Sequence, residues 1–217
     1  MTLSSTLWQA NQDLAQACLQ HPFVQGIARG DLPRQRFGYY VGQDAFFLQA
    51  FARAYSVAAA KCTDWETFQV FHRLTQGVIE ELHLHYSYSQ DWDVDLTTVE
   101  AGPSTRRYTD FLLATAWQAD VATIAAAMSP CMRLYLFLGR ELAKDGIPDH
   151  QYADWICTYG SDEFEPLARQ LEEVIDRQGC DGPQLRQTYR YAMDCELAFF
   201  EAAWASFRET QHPSEIN

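Results

Sequence analysis

Apolar residues recur at three- and four-residue steps along nearly every long stretch of the chain, and no stretch alternates apolar and polar positions cleanly enough to predict a strand. The pattern therefore predicts an all-α fold. A first helix over about 2–20 stops before His21-Pro22, because proline disfavours helical geometry in the residue before it. A loop is expected over 26–30, between two glycines. Asp31 should then cap a long second helix with Pro33 in its first turn, on which Phe37, Tyr40, Val41, Asp44, Phe47, Leu48 and Phe51 form one stripe. A third helix opens at Thr63 or Asp64 and runs to about Gln90, and a polar connection follows over 91–102. The pattern continues with a fourth helix over about 104–117 and a fifth over 121–144, capped by Asp120 and ended by Gly146 and Pro148. A short helix over 149–158 comes next, and then one over 161–179 with Asp162 and Glu163 in its first turn, where they favour the helix dipole. A last helix over about 182–209 leaves a frayed tail at 210–217. With no repeat, low-complexity segment or long linker, residues 1–217 are expected to form one helical-bundle domain of seven or eight helices.

Composition narrows the function classes. The 217 residues are 47% hydrophobic and carry 16 Lys and Arg against 29 Asp and Glu, a net charge of −13. That balance lacks the basic stripe of a nucleic-acid protein and disfavours acidic lipid surfaces, so neither partner is expected. The N-terminal residues show no basic region or cleavage-like site, and no apolar run approaches membrane-spanning length, which points to a soluble cytoplasmic protein. The six cysteines, Cys18, Cys62, Cys131, Cys157, Cys180 and Cys195, are irregularly spaced and mostly within apolar helical stretches. They read as free thiols, most of them small core residues.

Candidate chemistry in a bundle is marked by polar groups on apolar faces. Asp44 sits on the second-helix stripe, and Glu196 lies among Met193, Leu197, Phe199 and Phe200. Cys131 follows Pro130 directly, with Tyr135 one turn on along the same face. Pro130 removes one helical amide, so the fifth helix should bend or open there. Each feature also has a structural reading. A lone carboxylate on an apolar face can be bonded to a buried Arg, Tyr or amide, and a Cys in an Ala-rich helix is commonly a core filler. Tyr108, Tyr135 and Tyr159 in apolar company can be core residues with one satisfied hydroxyl. Glu80 and His83 form the Glu-x-x-His unit of bundle di-iron sites, a chemistry that needs a second such pair on another helix, and no second pair is expected. His83 and His85, two apart, point about 200° away from each other on a helix, so no metal site is expected.

These residues also carry a resemblance over almost the whole chain. It lies in His21-Pro22-Phe23-Val24, Gly30-Asp31-Leu32-Pro33, Tyr39-Tyr40-Val41-Gly42-Gln43-Asp44 and Thr105-Arg106-Arg107-Tyr108-Thr109. It continues through Ser129-Pro130-Cys131-Met132-Arg133-Leu134-Tyr135, Trp155-Ile156-Cys157-Thr158-Tyr159-Gly160 and Glu196-Leu197-Ala198-Phe199-Phe200-Glu201. In order and spacing these resemble the TenA-type thiaminase II, or aminopyrimidine aminohydrolase, family within the TenA/PqqC group of the haem-oxygenase-like fold. The Pro-Cys-x-x-x-Tyr segment resembles the branch of that family with an active-site cysteine.

The resemblance implies a hydrolase of thiamin salvage that needs no cofactor and converts an aminomethyl-pyrimidine, thiamin, or both, to hydroxymethyl-pyrimidine. It implies Cys131 as nucleophile, Glu196 as general acid/base, and Asp44 as the group that binds and polarises the aminopyrimidine. Tyr108, Tyr135, Tyr159 and Phe199 match family positions that line the pocket or bond these groups. Phe47 stands where many members have a tyrosine; its ring can stack on a pyrimidine, but a hydroxyl is gone. A homotetramer is implied as well. The alternatives are a non-catalytic aminopyrimidine- or thiamin-binding or regulatory protein, and a haem- or di-iron-binding member of the fold. The residue types suit the chemistry, since one nucleophile and two carboxyl groups suffice once a ring nitrogen is polarised.

Overall fold

The computed structural model describes residues 1–92 and 94–206, without the side chains of residues 84–88 and 90. Ten helices and no strand occur among the described residues: α1 (Leu3–Gln9), α2 (Gln12–Gln20), α3 (Pro22–Arg29), α4 (Arg34–Lys61) and α5 (Trp65–Asp91), followed by α6 (Pro103–Gln118), α7 (Val121–Ala143), α8 (Ala153–Gly160), α9 (Glu165–Gln178) and α10 (Pro183–Ala205). The frayed tail expected at 210–217 lies outside the described residues.

Helix α8 starts at Ala153 rather than at 149, and four further boundaries differ from the sequence reading, each for a local reason. The first helix is split because Asn11 leaves helical geometry (φ −118°, ψ 17°) while its side-chain amide donates to the Leu7 carbonyl at 2.8 Å. The expected loop over 26–30 is largely helical. Pro22 begins α3, the His21 ring accepts from the Phe23 amide at 3.2 Å, and Gly30 ends the helix at φ 77°, a left-handed geometry suited to glycine. Asp31 does not cap α4; it pairs with Arg29 at 2.9 Å, and Pro33 occupies the cap position without a side-chain bond. Helix α9 starts at Glu165, so Asp162 and Glu163 precede it, and Ser161 accepts from the Phe164 amide at 3.3 Å in the turn before it. The two caps expected at Asp64 and Asp120 form, accepting from the amides of Thr67 and Thr123 at 2.8 and 2.7 Å.

Helix α7 is the core of the bundle, packed against α6, α8, α9, α10 and part of α4. Contrary to the sequence reading, an apolar stretch of membrane-spanning length is present in α7, with a mean hydropathy of 1.5, and 72% of that stretch is buried inside the bundle. Such a helix is apolar all round because other helices surround it. Helix α7 also runs through Pro130 without opening. One amide is lost there, while close packing on all sides holds the flanking turns. Against α7, the backbone of Gly160 lies so close to Gly139 that a Cβ on Gly139 would sit 2.4 Å from the Gly160 nitrogen. That approach sets α8 against α7 and brings the Tyr159 and Tyr135 rings to 4.7 Å.

All six cysteines are free, but the expectation that most are core residues holds only for Cys18 and Cys195. Cys62 and Cys131 are half-buried, and Cys157 and Cys180 are exposed. Cys157 lies on a face of α8 turned away from its buried Trp155 and Ile156, and Cys180 lies in the connection between α9 and α10.

Candidate active site

Helices α4, α6, α7, α8 and α10 each contribute polar or aromatic side chains to one cluster inside the bundle. Asp44 and Phe47 come from α4, one turn apart, at 8% and 5% exposure. Tyr108 comes from α6, Cys131 and Tyr135 from α7, Tyr159 from α8, and Glu196 and Phe199 from α10. The fold thus gathers all eight residues singled out in the sequence, drawn from positions as far apart as 44 and 199.

Glu196 is the best-defined group. The Tyr108 hydroxyl donates to its Oε1 at 2.7 Å, and the Cys131 thiol also lies in hydrogen-bonding reach of its carboxyl. Burial raises the Glu196 pKa to about 8; the Tyr108 bond opposes the rise, and the negative charge of Asp44 adds to it. The carboxyl is thereby shifted toward its protonated form. Burial, followed by the charges of Glu196, Asp44 and Glu81, holds the Cys131 thiol well above its usual range. Both shifts favour the protonated forms of the acid and the thiol.

Aromatic rings surround these groups. Phe47 packs on Tyr108 at 4.9 Å and on Phe51 at 5.0 Å, with Phe199 at 6.3 Å. Tyr40 donates its hydroxyl hydrogen to the Tyr135 oxygen at 3.2 Å and accepts from the Trp155 indole at 3.3 Å, and its ring meets Phe199 edge-on at 5.8 Å. Flat rings around one small polar cluster are side chains of the kind that bind a planar, hydrogen-bonding heterocycle. Cys131 and Tyr159 are only half-buried.

Tyr40 and Trp155 belong to this cluster but were read in the sequence as stripe and motif residues only. Glu81 was missed altogether; it is exposed, and it acts electrostatically on Cys131. The Glu80 and His83 pair is exposed, and Glu80 accepts from Gln76 at 2.9 Å. Contrary to the sequence reading, the chain does hold a second Glu-x-x-His, at Glu209 and His212, which lies outside the described residues. Among the described residues, no group of three His, Cys, Asp or Glu side chains is placed to hold a metal ion.

Comparison with known proteins gives this arrangement a context. The model of the TENA/THI-4/PQQC family matches residues 8–206. The chain is 36% identical over 208 residues to the bifunctional TH2 protein, mitochondrial, of Arabidopsis thaliana, covering 83% of this chain and 34% of that protein. It therefore spans about a third of the length of that relative. It is 32% identical over 186 residues to the aminopyrimidine aminohydrolase of Halalkalibacterium halodurans, covering 82% of each chain. Among solved structures, a TenA homologue from P. horikoshii superposes with a TM-score of 0.89 at 27% identity, covering 95% of this chain and 100% of that one. A haem oxygenase from Synechocystis shares the fold at a TM-score of 0.61 and 15% identity, covering 93% and 91% of the two chains. The haem-oxygenase-like fold, the match across nearly all of the chain and the relatives named above agree: this chain belongs to the TENA/THI-4/PQQC family.

Proposed function

We propose that this chain is an aminopyrimidine aminohydrolase of thiamin salvage, in which Cys131 is the nucleophile, Glu196 the acid/base and Asp44 the group that binds the ring. The observation that carries the reading is the pairing of the Cys131 thiol with the Glu196 carboxyl, which also accepts from Tyr108, among aromatic rings. The relatives named aminopyrimidine aminohydrolase support the same reaction.

The resting protonation states suggest the order of events. Glu196 gives its proton to a ring nitrogen and then takes the proton of the Cys131 thiol as the sulfur adds to a ring carbon, so no free thiolate is needed in the resting enzyme. The adduct expels the substituent on the exocyclic methylene, as ammonia from an aminomethyl-pyrimidine or as the thiazole from thiamin. Water adds to that methylene, the C–S bond breaks, the thiol regains its proton and the ring its aromaticity. The balance is aminomethyl-pyrimidine plus water to hydroxymethyl-pyrimidine plus ammonia. Aromatic walls hold the ring, and no metal or organic cofactor enters any step. The reading includes a single helical domain, a cytoplasmic location, a homotetramer, and no nucleic-acid or membrane partner.

Incubation of the purified protein with 4-amino-5-aminomethyl-2-methylpyrimidine and, separately, with thiamin tests this directly, with release of ammonia or thiazole as the readout. Turnover of either is the expected result. Tight binding of both without turnover would favour the non-catalytic binding protein instead.

Phe47 offers a finer test. If a hydroxyl at this position orients thiol or substrate, Phe47→Tyr should raise the rate by up to about tenfold, the worth of one neutral hydrogen bond. An unchanged rate with a lower melting temperature would show that the rings of Tyr108, Phe51 and Phe199 leave the new hydroxyl without an acceptor.

A further inference from the structure

Tyr40, Tyr135 and Trp155 come from α4, α7 and α8 and are buried, at 3%, 5% and 5% exposure. The Trp155 indole donates to the Tyr40 oxygen at 3.3 Å, and the Tyr40 hydroxyl donates to the Tyr135 oxygen at 3.2 Å. The direction of this chain follows from its first member. An indole N–H can only donate, so Tyr40 must accept there, and a tyrosine hydroxyl has a single hydrogen to give. Around Tyr40 stand the rings of Phe23, Phe37, Phe199 and Phe200, with centroids 5.3, 5.5, 5.8 and 6.4 Å away. Asp44, one turn along α4, acts on Tyr40 by charge and does not share its hydrogen. Were the second bond reversed, the Tyr40 hydrogen would face apolar rings, a costly state for a buried donor. The Tyr135 oxygen is thus taken as an acceptor, and its own hydrogen is the one left to give. Trp155, Tyr159 and Phe200 pack on the Tyr135 ring at 5.7, 4.7 and 5.9 Å, so the ring is held and only the turn of its O–H bond needed fixing.

We propose that Tyr40 and Trp155 are positioning residues of the reaction, forming a one-way hydrogen-bond chain that commits the Tyr135 hydroxyl to donate into the site, one turn of α7 from Cys131. The inference rests on the hydrolase reading above. The chain cannot carry a proton to the substrate, because it begins at an indole N–H that does not ionise; what it fixes is the direction of a hydroxyl. A hydroxyl free to turn offers either a hydrogen or a lone pair and must be ordered when a ligand binds. One turned in advance avoids that cost and meets the reacting ring as a donor only. A pyrimidine has unprotonated ring nitrogens, and electron density moves onto them as the sulfur adds to a ring carbon. A donor set beforehand is therefore worth more in the transition state than in the bound substrate, and its loss falls on kcat more than on KM.

Tyr40→Phe keeps the ring among its phenylalanines and removes the middle of the chain. Steady-state kinetics on the aminomethyl-pyrimidine should show a loss of about three- to tenfold in kcat/KM, the scale of one neutral hydrogen bond, carried mainly by kcat. The deciding measurement repeats the substitution in a Tyr135→Phe background. If Tyr40 acts only through the Tyr135 hydroxyl, Tyr40→Phe should cost less than about twofold once that hydroxyl is gone. A residue that merely packs the bundle costs the same factor in both backgrounds, so equal factors would overturn the proposal, as would parent-like kinetics of Tyr40→Phe alone. Trp155→Phe, which removes the indole donor, is run through the same two backgrounds; equal factors there would take Trp155 out of the chain. Melting curves show which variants fold, and should Tyr40→Phe fail to fold, the Trp155→Phe pair decides in its place. A parent protein without turnover would overturn the hydrolase reading, and this inference with it, before any variant is compared. An active parent with equal factors overturns the positioning chain alone.

Discussion

Cys131→Ser is expected to lower hydrolysis of an aminomethyl-pyrimidine by roughly a thousandfold or more, while ring binding and the melting temperature stay close to those of the parent. A serine hydroxyl has nearly the volume of a thiol but is far less nucleophilic at neutral pH. The surroundings of Cys131 sharpen the expectation. Burial and three nearby carboxyl groups already oppose its ionisation, so attack depends on proton transfer to Glu196 and on a nucleophile that reacts well once deprotonated. A hydroxyl, with a still higher pKa, would fail at both. Steady-state rates and a binding isotherm for hydroxymethyl-pyrimidine check the two halves of the prediction. Turnover within tenfold of the parent would remove Cys131 from the mechanism.

Glu196→Gln is expected to lower kcat by about a hundredfold or more with little change in KM, since a proton shuttle acts in the transition state. Asp44→Asn should instead raise KM, because a group that binds the ring acts in ground and transition states alike. Swapped outcomes would exchange the two roles. The Gln variant also makes a stability prediction of definite sign. Folding raises the Glu196 pKa from 4.5 to about 8, so between those values the folded protein holds a proton that the unfolded chain has released. Stability from this group is complete below the unfolded pKa and is lost as pH rises through the folded one. Glutamine does not titrate and still offers an oxygen to the Tyr108 hydroxyl. The melting temperature of Glu196→Gln relative to the parent should therefore climb between pH 5 and pH 9, and a gap that is flat across that range would mean Glu196 is not held protonated. Thermal melts at several pH values measure it.

The long helices were legible in the sequence because burial imposes a 3.6-residue period wherever a helix faces the core, and the caps at Asp64 and Asp120 because a carboxylate bonding its own third amide is a local event. Asp44, Cys131 and Glu196 stood out for a related reason. A charged or nucleophilic group on an apolar stripe contradicts its surroundings, and that contradiction is visible without knowing what lies opposite. The misread ends had competing local partners: Asp31 could cap α4 or pair with Arg29, and Ser161 could begin a helix or close a turn before it. Nothing in the order of residues decides between two such bonds; packing of the neighbouring elements does.

The site itself was decided only in three dimensions. That Tyr108 bonds Glu196, that Gly139 admits the backbone of α8, and that Tyr40 joins Tyr135 and Trp155 depend on which helix faces are pressed together. The same holds for electrostatics. A glutamate in a sequence has an ordinary acidity, and Glu196 becomes a neutral acid only because burial and Asp44 surround it. Glu81 went unnoticed because it stands beside Glu80 in what reads as a solvated face, and both are indeed exposed. The sequence determined the helical class and the identity of the reactive groups, since both follow from periodicity and residue type. Tertiary packing decided which groups touch and which carry protons, because proximity and desolvation arise from contacts between residues far apart along the chain.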